Sequence, residues 1–157
     1  MAQQLNVDFT QYEIDHLSLR VNTEQTAKAW LTLLLEHGSV LSDNLINGRV
    51  IYLIQLHEPL RLAQQKVDVV ELPFPKDKHY PQETWEHIEV VVPFLPNETA
   101  AEWLARIKNT FLRNQPERFK VKTSEPKGSG ETLLNLSIAV SFVDKTQNPT
   151  CIKFHPY

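Results

Sequence analysis

The sequence predicts an α+β fold built from two tandem βαβββ modules, whose strands form one curved mixed sheet around a polar cup. Three observations predict it. Strand-period and helix-period hydrophobic patterns follow one another in the same order twice, over residues 13–73 and again over 84–157. Between them the run PFPKDKHYP carries three prolines, which cannot hold regular structure and place a linker at 74–83. Each half then has one helix for four strands, so one sheet face takes the helix and the other must line a cavity.

Residues 13–21 (EIDHLSLRV) alternate as a strand: Leu17, Leu19 and Val21 point one way, His16, Ser18 and Arg20 the other. A helix follows over 23–37, with Thr23 as N-cap, Gly38 just past its end, and Ala27, Trp30, Leu31, Leu34 and Leu35 as its apolar stripe. Asn47-Gly48 joins extended runs at 39–46 and 49–56 as a hairpin, and Glu58-Pro59 ends it. Residues 66–72 (KVDVVEL) form the fourth strand. The second half opens with a strand at 85–92. Pro96-Asn97 starts a helix over 98–113, with Ala101, Leu104, Ile107, Lys108 and Phe111 along one side. A short strand at 119–123, a turn at PKGSG (126–130), a long strand at 132–142, a turn at 144–149 and a last strand at 151–155 complete it. Trp30 and Trp103 are read as the core anchors of the two helices.

A chain of 157 residues can bury an adequate core without a disulfide or a structural metal. A net charge of −3 with no basic stripe excludes nucleic acid as the main ligand. The single cysteine, Cys151, rules out an internal disulfide and fits a reducing cytoplasm. The first residues lack the charged-then-apolar order of a secretory signal, and no apolar run reaches the ~18 residues that span a bilayer. A cytoplasmic protein without a membrane partner is therefore expected. The sequence stops at His155-Pro156-Tyr157, directly after a strand, and further residues beyond it are expected.

Both opening strands place a histidine on the face turned from the helix, His16 in the first half and His87 in the second, where Glu89 joins it. Glu71 stands among valines near the end of the fourth strand, a costly place for a carboxylate unless it is paired, solvated or bound to a cation. Two histidines and a carboxylate are ligands typical of a divalent first-row metal and leave positions open for water or substrate. The other reading is that His16 and His87 are buried histidines bonded to their neighbours. Glu89 is a general base, an acceptor that orients a histidine ring, or a solvated carboxylate. Arg20 and Arg49 either bind a carboxylate or phosphate of a ligand or neutralise Glu89 and Glu71. His57 and His79 lie at loop positions near the cup mouth, and His37 ends a helix. Trp85 is placed in the cup wall. Cys151 shares a strand face with Lys153 and lacks an identifiable base.

The segments IDHLSLRV, LINGRVIYLIQLHEPL, VVELPFPKDKHYPQETWEHIEVVV, VKTSEPKG and CIKFHPY resemble the bacterial YecM family, over nearly the whole of residues 13–157. That family is described as uncharacterised and is related to the vicinal oxygen chelate (glyoxalase, bleomycin-resistance, dioxygenase) superfamily. The resemblance implies metal ligands on the first and last strand of each module. Carried over, these are His16, Glu71 and His87, with Lys153 in the fourth, glutamate, position and His155 two residues on. A protonated lysine cannot ligate a metal. The site thus has three protein ligands, or is completed by His155 after a shift in register, or is no metal site; Lys153 then contacts an anion or pairs with Glu71.

Two functions follow from this reading. One is a metal-dependent enzyme of isomerase, lyase or dioxygenase type, holding zinc, nickel, manganese or iron and acting on a small molecule. The other is a non-catalytic module, without a metal, that binds a small anion through Lys153, Arg20 and the histidines. Either a monomer or a homodimer fits.

Overall fold

The computed structural model describes residues 1–5, 7–113, 116–124, 136–146 and 148–157. Eight strands form one mixed sheet: β1 (Ile14–Arg20), β2 (Gly38–Ile46), β3 (Arg49–Leu62), β4 (Gln65–Pro73), β5 (Thr84–Val91), β6 (Phe119–Ser124), β7 (Ser137–Phe142) and β8 (Cys151–His155). Helix α2 (Glu24–Glu36) follows β1 and α3 (Ala100–Phe111) follows β5; a single turn, α1 (Ala2–Leu5), precedes them.

The sheet order β2-β3-β4-β1-β5-β8-β7-β6 reads the same for both halves outward from its centre. The opening strands β1 and β5 lie together, antiparallel, and each is flanked by the closing strand of its own half in parallel. The two strands that carry the candidate histidines are therefore neighbours. Each half packs its own core on the helix side. Leu19, Ala27, Leu34, Ile54 and Val70 form one. Trp103, Ile107, Phe111, Ile138 and Phe154 form the other, which also takes Leu5 of α1. Among the described residues no helix is long and apolar enough to cross a membrane.

Helix α2 starts as the sequence predicts, whereas α3 starts at Ala100, two residues later than the expected opening after Pro96-Asn97. Thr23 caps α2 by accepting from the Thr26 amide, and Thr99 caps α3 in a reciprocal box with Glu102. Four further details differ from expectation. Gly38 is no left-handed helix stop, since among the described residues Gly48 is the glycine with positive φ. It opens β2 where a Cβ would come within 2.4 Å of the Gln55 carbonyl oxygen, so close strand approach is what requires glycine there. Strand β3 runs on past Pro59 to Leu62, because β2 pairs it only as far as Leu56, and beyond that point proline sits on an edge. Leu35, Ala101 and Lys108 are exposed, whereas Leu104, Ile107, Phe111 and Trp103 pack inward as expected and Ala100 joins them. The two tryptophan anchors are unequal: Trp103 is fully buried, whereas Trp30 packs only at the margin of its core. The PKGSG turn and residues 132–135 of the long strand lie outside the described residues.

The linker is irregular, as its prolines require, but it is tied down. Asn22 exchanges two hydrogen bonds with the Tyr80 backbone, at 2.7 and 2.9 Å, and Lys76 Nζ donates to the Asn47 carbonyl at 2.8 Å.

Candidate metal centre

The β1–β5 ladder contains two irregularities, and both matter to the site. Ile14 pairs with Val90 and His16 with Glu89, so Asp15 is an extra residue on β1. Ser18 pairs with His87 and Leu19 with Trp85, so Glu86 is an extra residue on β5. Each bulge sits immediately before a histidine. A bulge breaks strict alternation and re-aims the side chains around it. This is why Trp85 does not wall the cup: it lies on the helix face, its ring 6.3 Å from that of Trp30. It is also why Asp15 and Glu86 can each reach the ring that follows it.

The histidines are held alike. Asp15 Oδ2 lies 2.7 Å from His16 Nδ1, and Glu86 bonds His87 Nδ1. An ionised carboxylate only accepts, so Nδ1 of each ring donates, and each neutral ring keeps its lone pair on Nε2. Both Nε2 atoms are buried without a hydrogen-bond partner among the described residues. They converge on two carboxylates. His16 Nε2 lies 3.8 Å from Glu71 and 3.7 Å from Glu89; His87 Nε2 lies 3.9 Å from Glu71 and 3.3 Å from Glu89. Ligand atoms of these four residues all fall within 4.8 Å of one another. The edges of a tetrahedral site with ~2.1 Å bonds are ~3.4 Å long, so the four donors are arranged to close on one cation with small movements.

Charge supports the same fit. Asp15, Glu71, Glu86 and Glu89 bring four carboxylates, and Arg20 and Lys153 bring two cations. With neutral imidazoles the cluster carries two excess negative charges, which one divalent cation would cancel. Without an ion, the pKa shifts show a proton favoured in its place. Burial would raise Glu71, but His87, Lys153, His16 and Arg20 outweigh it and bring the carboxyl down to about 2. Glu86 also falls to about 2, where the His87 hydrogen bond and Arg20 overcome burial. Glu89 is held well below the carboxylate range against its burial, by the nearby His87 ring and the Lys153 charge. Burial disfavours an imidazolium at His16, but the Asp15 hydrogen bond with the Glu89 and Glu71 charges prevails and raises its pKa. A site that favours a proton in this way favours any cation.

Three of the four, His16, Glu71 and Glu89, line the floor of a cup of ≈ 620 Å³, while the His87 side chain is fully buried and does not line it. Lys153 and His155 line the cup from β8, Arg20 from β1 and Arg49 from β3. Lys153 Nζ donates to Glu89 Oε1 at 2.9 Å, and the Glu89 and Glu71 charges keep it protonated despite burial. His155 stands apart from the four-residue cluster, its Nε2 buried, unpaired and 3.8 Å from Asp15. Arg20 is committed to protein: it donates to Ser18 Oγ at 2.6 Å and the Leu19 carbonyl at 2.7 Å, and lies 3.5 Å from Glu71. His57, His79 and His37 are exposed, and none of them lines the cup. Burial and the neighbouring Glu86 push the Cys151 thiol up to about 12, so it is no thiolate nucleophile.

Register explains the lysine at the fourth position. Ser18 on β1 faces Glu71 on β4, and the corresponding pair in the second half is Glu89 on β5 and Lys153 on β8. The second half thus carries its carboxylate on the opening strand rather than the closing one. The sequence reading missed Asp15 and Glu86, though a signal was present: an acid immediately precedes the histidine in both IDH and WEH.

Among known proteins, the family described as YecM protein matches residues 1–157. An uncharacterised protein of Haemophilus influenzae is 57% identical over 157 residues, which are 100% of this chain and 81% of that one. Protein YecM of Escherichia coli is 41% identical over 157 residues, 100% of this chain and 80% of its own length. The solved structure of protein EC4020, 38% identical, aligns with a TM-score of 0.79 over 99% of this chain and 78% of that one. Methylmalonyl-CoA epimerase, 16% identical, aligns with a TM-score of 0.51 over 90% of this chain and 92% of its own, a likeness of fold.

Proposed function

The chain belongs to the YecM family and has a vicinal oxygen chelate-like fold, and from these premises we propose that its cup is the centre of a divalent-metal-dependent enzyme acting on a small molecule. The observation that carries this reading is the pair of buried, unpartnered Nε2 atoms facing two carboxylates. Structural histidines would have those nitrogens satisfied.

In this reading His16, Glu71, His87 and Glu89 hold the ion. When bound, it supplies Lewis-acid polarisation of substrate oxygens. A carboxylate held as low as Glu89 is a poor base at neutral pH, so Glu89 is assigned to the ligand set rather than to proton transfer. His155 lines the cup with an Nε2 that has no hydrogen-bond partner among the described residues and lies 3.8 Å from Asp15. Isomerase, lyase and dioxygenase chemistry all suit such a centre, and fold does not choose among them. Residues 13–73 and 84–157 act here as two modules joined by the 74–83 linker, each giving one histidine and one carboxylate. The Lys153–Glu89 ion pair favours a second reading, a metal-free module that binds a small anion.

Elemental analysis of untagged protein separates the two. Near-stoichiometric zinc, nickel, manganese or iron is expected in wild type and none in His16→Ala, His87→Ala. Wild-type protein that holds no metal and takes none up would overturn the enzyme reading.

Asp15 and Glu86 have the position of outer carboxylates that orient metal-binding histidines. Asp15→Ala or Glu86→Ala is expected to weaken metal binding by ~10–100-fold, with partial recovery in Asp15→Asn or Glu86→Gln, whose side-chain carbonyl still accepts from Nδ1. Competition with a chromophoric chelator reads this out, and unchanged affinity in both alanine variants would remove the two acids from the site.

A further inference from the structure

Beside the cup lies a smaller hollow of ≈ 280 Å³, bounded by the β2–β3 turn and the linker. It shares Ile46, Asn47, Arg49 and Ile51 with the cup, so Arg49 stands on the boundary between them. Its remaining walls are Lys76, Asp77 and Lys78. Three cations and one acid thus face a space large enough for a carboxylate or phosphate group. Lys76 is fixed there by its bond to the Asn47 carbonyl, and Lys78 lies 4.7 Å from the centre of the Tyr80 ring.

The cup has a matching imbalance. Asp15, Glu71 and Glu89 are the acids that line it, and all three belong to the floor. Counted with Glu86, Arg20 and Lys153, which are ion-paired with it, that floor would be neutralised by one divalent ion, leaving Arg49 on β3 and Lys122 on β6 as the remaining charged walls, both positive. Neither of these two makes an ion pair with a described carboxylate. Arg49 is half-buried, and a guanidinium there presents a planar fork suited to a bidentate anion.

Building on the metal-centre reading, we infer that the substrate is a small molecule with two anionic ends: one a chelating oxygen pair for the metal, the other a carboxylate or phosphate held at Arg49 with Lys76 and Lys78. The hollow selects for length, because the second group must reach the β2–β3 turn while the first lies on the floor between β1 and β5.

The test uses zinc-loaded full-length protein and isothermal titration with four probes. Pyruvate carries only the chelating end; 2-oxoglutarate and 2-oxoadipate add a second carboxylate; phosphonopyruvate adds a phosphonate. At least one doubly anionic probe is expected to bind about tenfold or more tighter than pyruvate, as charge-assisted bonds would give, and which one does so tells carboxylate from phosphate. That advantage is expected to vanish in Arg49→Gln and to shrink in Lys78→Gln, with zinc content unchanged in both. Equal binding of all four probes by zinc-loaded wild type, or an advantage that survives Arg49→Gln, would overturn the anion site and leave the metal centre standing. Failure of wild type to take up zinc would instead sink the metal centre and this inference with it.

Discussion

Replacing Glu89 by serine is expected to strip the centre of its metal, and adding Lys153→Glu in the same chain is expected to return it. The first half presents Ser18 on its opening strand and Glu71 on the strand beside it. The second half presents Glu89 and Lys153 at the corresponding places. The double variant would give the second half the serine–glutamate arrangement of the first and restore two carboxylates facing two histidines. The single variant loses a donor 3.3 Å from His87 Nε2 and leaves the Lys153 ammonium in the cup without its partner. Its metal affinity should fall by more than the ~100-fold upper range for outer residues, since Glu89 is proposed to touch the ion itself. Chelator competition gives the affinities, and far-ultraviolet circular dichroism checks the fold. A single variant with undiminished affinity would exclude Glu89 from the ligand set. A double variant as metal-poor as the single would show that the two halves do not present equivalent ligand positions.

Trp103→Ala is expected to be the most destabilising core change, by about 3–5 kcal/mol, the range for emptying a buried aromatic site. The side chain is 0% exposed. Its indole N–H donates to the Val92 carbonyl at 2.6 Å, which ties α3 to the end of β5. Trp103→Phe keeps most of the packing but leaves that carbonyl without its donor, for about 1–3 kcal/mol. Urea unfolding should show both as lower midpoints at an unchanged slope. Trp30→Ala should cost less than Trp103→Ala, because Trp30 is only partly buried. Equal losses at the two positions would contradict the unequal anchoring of the helices.

Much of the fold was legible because its signals are local. Asn47-Gly48 dictates a tight hairpin, Thr23 stops a helix from extending backward, and the linker prolines forbid a strand. Details that depend on a neighbouring strand were not legible. Gly38 looked like a helix terminator, but its role comes from Gln55, seventeen positions on, which no local rule anticipates. Pro59 looked like a strand end, and it is tolerated because β2 has already stopped.

The sequence by itself determined the repeated βαβββ order, the polar face of the opening strands, and the choice of His16, Glu71 and His87 as residues that share one place. Periodicity assigns a face to each side chain, and repetition makes equivalent faces meet. Tertiary structure alone decided the rest. It set β1 against β5, displaced Asp15 and Glu86 into bulges behind the two rings, moved Trp85 out of the cup, and brought Glu89 within 3.3 Å of His87 Nε2. Each of these follows from the register of one strand against another, and register is settled by the sum of contacts across the whole sheet rather than by any residue's own neighbours in the chain.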